Sequence, residues 1–221
     1  MSLKLALALV CTLAMLGCGG GSDHAQLRIM QASPNLSTVN VLVDSKTVSS
    51  NIAFSQTTGY LSVASGSRHL QVEVSGTSTP ILDQTLTFSS GTSTTYLAAN
   101  YASSITGVQY TDDNSAPDPG KFRVRIINAS PGLGNADIYI VPSGTNLSTV
   151  TPNFSSLAFL ASSTYLSVNA GAYEVFFTLP GSKFAYIDSG PITFSAGQVR
   201  TVVSLDGASG GFTSVTLRDL N

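Results

Sequence analysis

The chain contains no tryptophan, two cysteines, two histidines and two glutamates, and only 10% of its residues are charged. An average soluble protein carries roughly 25% charged residues. Each shortage removes a class of function. With a net charge of −2, no basic patch implies a nucleic acid or an anionic bilayer surface as partner. His24 and His69 are too isolated to suggest a zinc site. Glu73 and Glu174 fall in different halves of the chain and do not form the paired carboxylates of a glycosidase. A Ser-His-Asp triad would have to use His69 together with a serine and an orienting acid, and no nucleophile elbow is read from the chain. No cofactor is implied, and the chain is read as non-catalytic.

What remains is apolar and turn-rich. Hydrophobic residues make up 43%, too many for a disordered chain, alongside 20 glycines and 9 prolines. Helix signals are few, and Ser/Thr-rich connectors separate short apolar segments. That combination predicts an all-β fold.

The first 17 residues have the form of an export signal. Lys4 is the positive end, Leu5 to Leu16 is an apolar run broken by Thr12, and Gly17-Cys18-Gly19-Gly20 follows. The run is too short to cross a hydrocarbon core of ~30 Å. Met15-Leu16-Gly17-Cys18 resembles a lipobox, which implies cleavage before Cys18 and acylation of its thiol. Cys11 would leave with the signal, so the mature chain would have no disulfide and would depend on core packing. Gly19, in place of Asp after the cysteine, implies delivery to the outer membrane of a Gram-negative bacterium. Residues 18–25 read as a flexible tether.

Beyond the tether the chain repeats. Arg28-Ile29-Met30-Gln31-Ala32-Ser33-Pro34 returns as Arg125-Ile126-Ile127-Asn128-Ala129-Ser130-Pro131, an offset of 125 − 28 = 97. Tyr60-Leu61-Ser62-Val63 returns as Tyr165-Leu166-Ser167-Val168 at 165 − 60 = 105. Two domains are expected, 26–113 and 122–221, joined by a linker at 114–121. Each is read as an immunoglobulin-like antiparallel β-sandwich of seven or eight strands. In the first, strands are expected at Leu27–Gln31, Val39–Asp44, Ile52–Phe54, Gly59–Val63 and onward. Leu70, Val72 and Val74 alternate with His69, Gln71 and Glu73, the period of a half-buried strand. Gly66, Gly171, Gly91 and Gly197 sit at turns where positive φ is expected. Tyr60 and Tyr165 are expected to bond backbone with their hydroxyls.

The step from 97 to 105 places an eight-residue insertion (105 − 97 = 8) in a loop within Pro142 to Ser156. Pro142, Ser143, Asn146 and Asn153 are the candidate binding residues there, although a plain surface excursion explains the loop as well. Asp112, Asp113, Asn114 and Asp118 could offer oxygens to calcium, but their spacing is not that of an EF-hand, and a solvated linker is the simpler reading. Tyr101, Tyr110, Tyr139 and Tyr186 are the rings available to stack on a sugar.

The repeated segments, with Asp137-Ile138-Tyr139-Ile140, Tyr165 to Gly171 and Ala196 to Val203, resemble the bacterial family called domain of unknown function 4397. The first half departs at Asn40 and Ser65, where the family has Asp and Ala. The resemblance implies exported, often lipidated β-sandwiches in tandem, and no activity. The chain is therefore expected to be a membrane-tethered envelope protein that uses two sandwiches for binding, adhesion or structure, with an unknown protein or glycan as partner. A glycan-binding accessory module is the alternative, and an envelope hydrolase the weakest reading. Cys18→Ala is expected to abolish metabolic fatty-acid labelling and release the protein from membranes; a mutant that is still labelled would refute acylation at Cys18.

Overall fold

A computed structural model describes residues 23–220; the signal, Cys18 and most of the tether lie outside the described residues. The first eight strands are β1 (His24–Ala32), β2 (Val39–Val43), β3 (Lys46–Ile52), β4 (Thr57–Ala64), β5 (Gly66–Val74), β6 (Pro80–Phe88), β7 (Ser93–Ala99) and β8 (Thr106–Asp112). The rest are β9 (Lys121–Asn128), β10 (Ala136–Pro142), β11 (Phe154–Leu157), β12 (Leu166–Asn169), β13 (Gly171–Thr178), β14 (Ala185–Asp188), β15 (Ile192–Phe194), β16 (Val199–Asp206) and β17 (Phe212–Leu220).

They form four sheets, ordered β4-β1-β7-β8, β3-β2-β5-β6, β12-β9-β16-β17 and β11-β10-β13-β14, with β15 also paired to β13. The all-β sandwich architecture is the expected one. Its strand order differs from the ABED and CFG order of an immunoglobulin constant domain. Two pairs, β1–β7 and β9–β16, are parallel within otherwise antiparallel sheets.

Three apolar layers explain that arrangement. Leu27, Ile29, Val41, Leu70, Val72, Phe88 and Tyr96 fill the space between the first two sheets. Phe122, Val124, Ile126, Ile138, Val175, Phe177 and Phe194 do the same for the second pair. A third layer, of Met30, Ala32, Leu97, Ala99, Ile127, Ala129, Val203 and Leu205, joins the β1/β7 sheet to the β9/β16 sheet. Alternate residues of β1 thus face different cores: Leu27 and Ile29 inward, Met30 and Ala32 toward the other sandwich. β16 is buried at all eight positions. Strands covered on both faces read as unbroken apolar runs, and parallel pairs are found where both faces are covered.

Local chemistry sets the turns. Asp44 (φ 49°) and Ser45 (φ 62°) join β2 to β3, both left-handed as a two-residue hairpin of primed type requires. Gly66, Gly91 and Gly197 have positive φ as expected, and Gly171 does not. Two segments differ from expectation. β1 starts at His24, inside the proposed tether, because Ala25 is already packed in the first core. The third strand lies earlier than Ile52–Phe54, since the tight Asp44-Ser45 turn lets Lys46 to Ile52 pair with β2 at once.

Buried phenols tie the cores to pH. The Tyr96 hydroxyl donates to Gln84 Oε1 at 2.6 Å, and the Tyr110 hydroxyl crosses to the Leu160 carbonyl at 2.9 Å. Burial raises both groups, Tyr110 to about 12. A pKa raised on folding gives stability that is complete below the unfolded value, about 10, and is lost as pH rises through the folded one. Stability should hold to about pH 10 and fall toward pH 12, the value burial gives Tyr110. Phenolate absorbance and β-sheet circular dichroism should change together, because Tyr110 sits in the shared layer. Free titration of every tyrosine near pH 10 without unfolding would contradict this.

Candidate functional site

The repeated arginine stands on the face of β1 that meets the other sandwich. There Arg28 Nη2 donates to Asp219 Oδ1 at 2.7 Å, and Nη1 to the Arg218 carbonyl at 2.7 Å. Its Nε and Nη2 also hold Thr95 Oγ1, on the neighbouring strand β7, at 3.1 and 2.7 Å. Arg125 makes the reciprocal set: Asp112 Oδ1 at 2.5 Å, the Thr111 carbonyl at 2.9 Å, and Thr201 Oγ1 at 3.2 and 3.0 Å. Each carboxylate is completed from its own half. Asp112 Oδ2 accepts from Tyr60 and Thr95, both at 2.7 Å, and Asp219 Oδ2 from Tyr165 at 2.9 Å and Thr201 at 2.6 Å. The guanidinium groups lie over the Tyr60 and Tyr165 rings, 4.8 and 5.0 Å from their centroids. The arginine side chains are 1% and 3% exposed and both aspartates 0%. Burial pushes the Tyr60 and Tyr165 hydroxyls well above the ordinary tyrosine range, so they remain donors.

This corrects two expectations. Tyr60 and Tyr165 bond carboxylates rather than backbone. Asp112 is not a solvated linker acid but the buried partner of Arg125, because β8 carries it into the shared layer. Asp113 is paired with Arg123, whose hydrogen bond holds the Asp113 carboxyl well below the usual carboxylate range. No group of three or more His, Cys, Asp or Glu that could hold a metal ion occurs among the described residues.

Beyond the clamp a cleft of about 350 Å³ opens between the sandwiches. Its walls are the segments that follow the carboxyl ends of β1 (Pro34, Asn35), β7 (Tyr101), β9 (Gly132) and β16 (Gly207, Ala208, Gly210, Gly211), with Phe212. A latch crosses its floor. The Tyr101 hydroxyl donates to Asp206 Oδ2 at 2.5 Å, and that bond raises the tyrosine's pKa. Asp206 Oδ1 accepts from the Ser130 hydroxyl, and the Gly132 N–H donates to both oxygens at 3.1 Å. A Cβ on Gly132 would lie 2.8 Å from Asp206 Oδ2, so this close approach requires glycine. Asn35 Oδ1 accepts from the Ala102 N–H at 2.8 Å. Outside the mouth, Phe212 meets the Tyr186 ring (5.8 Å between centroids) and Tyr186 meets Phe184 (5.1 Å). Phe184 is 69% exposed and Tyr186 40%.

The other sequence candidates lie elsewhere. Pro142 ends β10, and Ser143 donates to Glu174 Oε1 at 2.9 Å. Asn146 caps a short 3₁₀ turn by accepting from the Ser148 N–H, and Asn153 accepts from the Ile140 N–H at 2.6 Å. Leu147 and Val150 pack on Tyr139, Val141 and Phe176, so the inserted loop covers the outer face of its sheet. Of the four sugar-stacking candidates, Tyr110 and Tyr139 are buried, Tyr101 lines the cleft, and Tyr186 meets Phe212 outside it. His69 contacts Asp83 on the exposed face of β5 and β6. Gly207-Ala208-Ser209-Gly210-Gly211 does have the spelling of a nucleophile elbow, contrary to the sequence reading. It forms the β16–β17 hairpin turn, not the strand-to-helix turn that chemistry uses, and His69 belongs to an outer sheet of the other sandwich. Asp206 and Phe212 are signalled in the sequence only by the glycine run between them, after an apolar strand, and Phe184 by nothing.

The fold and cleft define a class: paired β-sandwiches locked face to face, with a recess between them. Residues 25–139, more than half of the chain, match the family model described as Domain of unknown function (DUF4397), and the chain belongs to that family. No curated protein matches it. Among solved structures, it resembles a streptococcal virulence factor described for alpha-glucan binding at 11% identity and a TM-score of 0.27, covering 86% of this chain and 96% of that one. Family 41 carbohydrate-binding modules from streptococcal virulence factors, described for alpha-glucan recognition, align at 15% identity and TM-score 0.27, over 82% and 93%. A leucine-rich repeat protein from Bacteroides thetaiotaomicron aligns at 13% and 0.23, over 81% and 25%. Likenesses at these scores carry no argument about ligand.

Breaking one arm of the clamp strands a buried charge. Arg28→Met should cost about 3–5 kcal/mol in denaturant unfolding. Arg28→Met with Asp219→Leu should cost clearly less than the two single changes added together. Additive costs would show that the pair is not coupled.

Proposed function

We propose that this chain is a non-catalytic, lipid-anchored envelope protein in which two copies of one domain, locked together, act as a single binding head. One observation carries the reading: a cleft lined from both sandwiches, at the end of the molecule away from the tether. The tether joins β1 at His24, and the cleft begins just past the other end of that strand, at Pro34. Nine residues of strand at ~3.3 Å each separate the two ends by about 30 Å. With acylation at Cys18 on the outer membrane of a Gram-negative cell, the recess would lie at the end of the molecule far from the anchor. The clamp supports the reading because a cleft built from two parts recognises a ligand only if the parts keep their spacing.

The test uses the whole chain in its own envelope. Ala208, exposed in the cleft wall, is replaced by a photoreactive amino acid; Thr77, exposed in the β5–β6 turn, is replaced in the same way as control. A discrete adduct at 208 and none at 77 is the expected outcome. Equal labelling at both positions, or none at 208, would overturn the assignment of the cleft.

A further inference from the structure

The chemistry of the cleft narrows what it takes, and this inference rests on the binding-head reading above. Among the described residues, its only charged lining residue is Asp206, and no lysine or arginine lines it. A phosphate, carboxylate or sulfate would therefore meet a carboxylate without a compensating cation. Asp206 is itself saturated, holding Tyr101, Ser130 and the Gly132 N–H, so it is also a poor seat for a cation. What the walls offer instead is ring surface and neutral hydrogen-bonding groups. Tyr101, 39% exposed, and Phe212 both line the cleft. The Asn35 amide NH₂ remains a donor, since its oxygen is committed to Ala102. Tyr186 and Phe184 carry the ring surface onward from Phe212 in edge-to-face steps, interplanar 81° and 79°. Exposed rings beside uncharged polar groups match a ligand with apolar C–H faces and hydroxyl edges.

We infer that the cleft binds a neutral glycan, with one end of the saccharide held between Tyr101 and Phe212 near Asn35 and the rest running out over Tyr186 and Phe184. The chain length a ridge of this kind engages exceeds one sugar, so polymers should bind better than monosaccharides.

Native affinity electrophoresis of the full-length chain in detergent tests this, with gels containing starch, β-glucan, mannan or xylan, and polygalacturonate as the anionic comparison. At least one neutral polymer should retard the protein, and polygalacturonate should not. Phe212→Ala and Tyr186→Ala should each weaken retardation about tenfold, the effect of losing a buried aromatic anchor. Because Phe212 also packs on the second core, Ala208→Trp provides a variant that fills the mouth from an exposed loop, and it should abolish retardation with the melting temperature unchanged. No retardation by any neutral polymer, equal retardation by the anionic one, or wild-type binding by Ala208→Trp would each overturn the inference. An adduct at position 208 that resists glycosidases and yields the peptides of a second protein on digestion would also overturn it, while leaving the binding head intact; absence of any adduct would remove the head as well.

Discussion

Two arginines and two aspartates buried in one layer hold this molecule together. The four charges sum to zero, and every guanidinium and carboxylate is hydrogen-bonded at least twice. That completeness is what lets ions sit in an apolar layer at all, since the desolvation of each is offset only by full pairing. The pairing is also crossed. Arg28 of the first sandwich needs Asp219 of the second, and Arg125 needs Asp112. Apolar packing alone would let one sheet slide on the other at modest cost. One charge-assisted carboxylate bond and one carbonyl bond from each arginine, at fixed positions on the facing sandwich, allow one register. The packing of Met30 on its neighbours across the shared layer and the meeting of loops at the cleft both follow from that register.

Sandwich architecture could be read from residues because it is a matter of period. Leu70 and Val72 against His69 and Gln71 announce a strand with one wet face, and glycine or Asx punctuation marks its ends. The stacking of the sandwiches was written in the same residues but is not periodic. Ile126-Ile127 and Val202-Val203 are adjacent apolar pairs, which a half-exposed strand does not need. They signal burial on both faces without saying what covers the second. The repeated Arg, Tyr, Thr and Asp at 28, 60, 95 and 112, matched at 125, 165, 201 and 219, were visible as well. An ion in the middle of an apolar strand wants a partner of opposite charge, and the matched aspartates were at hand. Which arginine takes which aspartate is a three-dimensional fact, and the crossing could not be read from spacing.

The inserted loop at 142–156 shows the reverse case. It stood out because it broke the repeat, and a break in a repeat is a natural place to seek function. The structure gives it a packing role, with Leu147 and Val150 over an outer sheet face that carries Tyr139 and Phe176, and Lys183 reaching across to the Val150 carbonyl and the Tyr139 ring. The cleft, by contrast, gathers short segments from four separated places in the chain. None is distinctive alone, and only the clamp brings them to one point.

Ser33 and Ser130 occupy equivalent places after β1 and β9, yet their hydroxyls fare differently. Ser130 donates to Asp206, whereas Ser33 is buried with its hydroxyl unpartnered. The difference arises because Asn100 stands where the second half has Asp206, an offset of 206 − 100 = 106, and its side chain turns to Tyr101 and Ser104. Asn35 likewise stands where the second half has Gly132, an offset of 132 − 35 = 97. A recess made by two identical walls would receive a linear polymer equally well from either end. Here the walls differ while the clamp beneath them does not, so a polymer of the kind inferred above, with distinct ends, would have one favoured direction of entry.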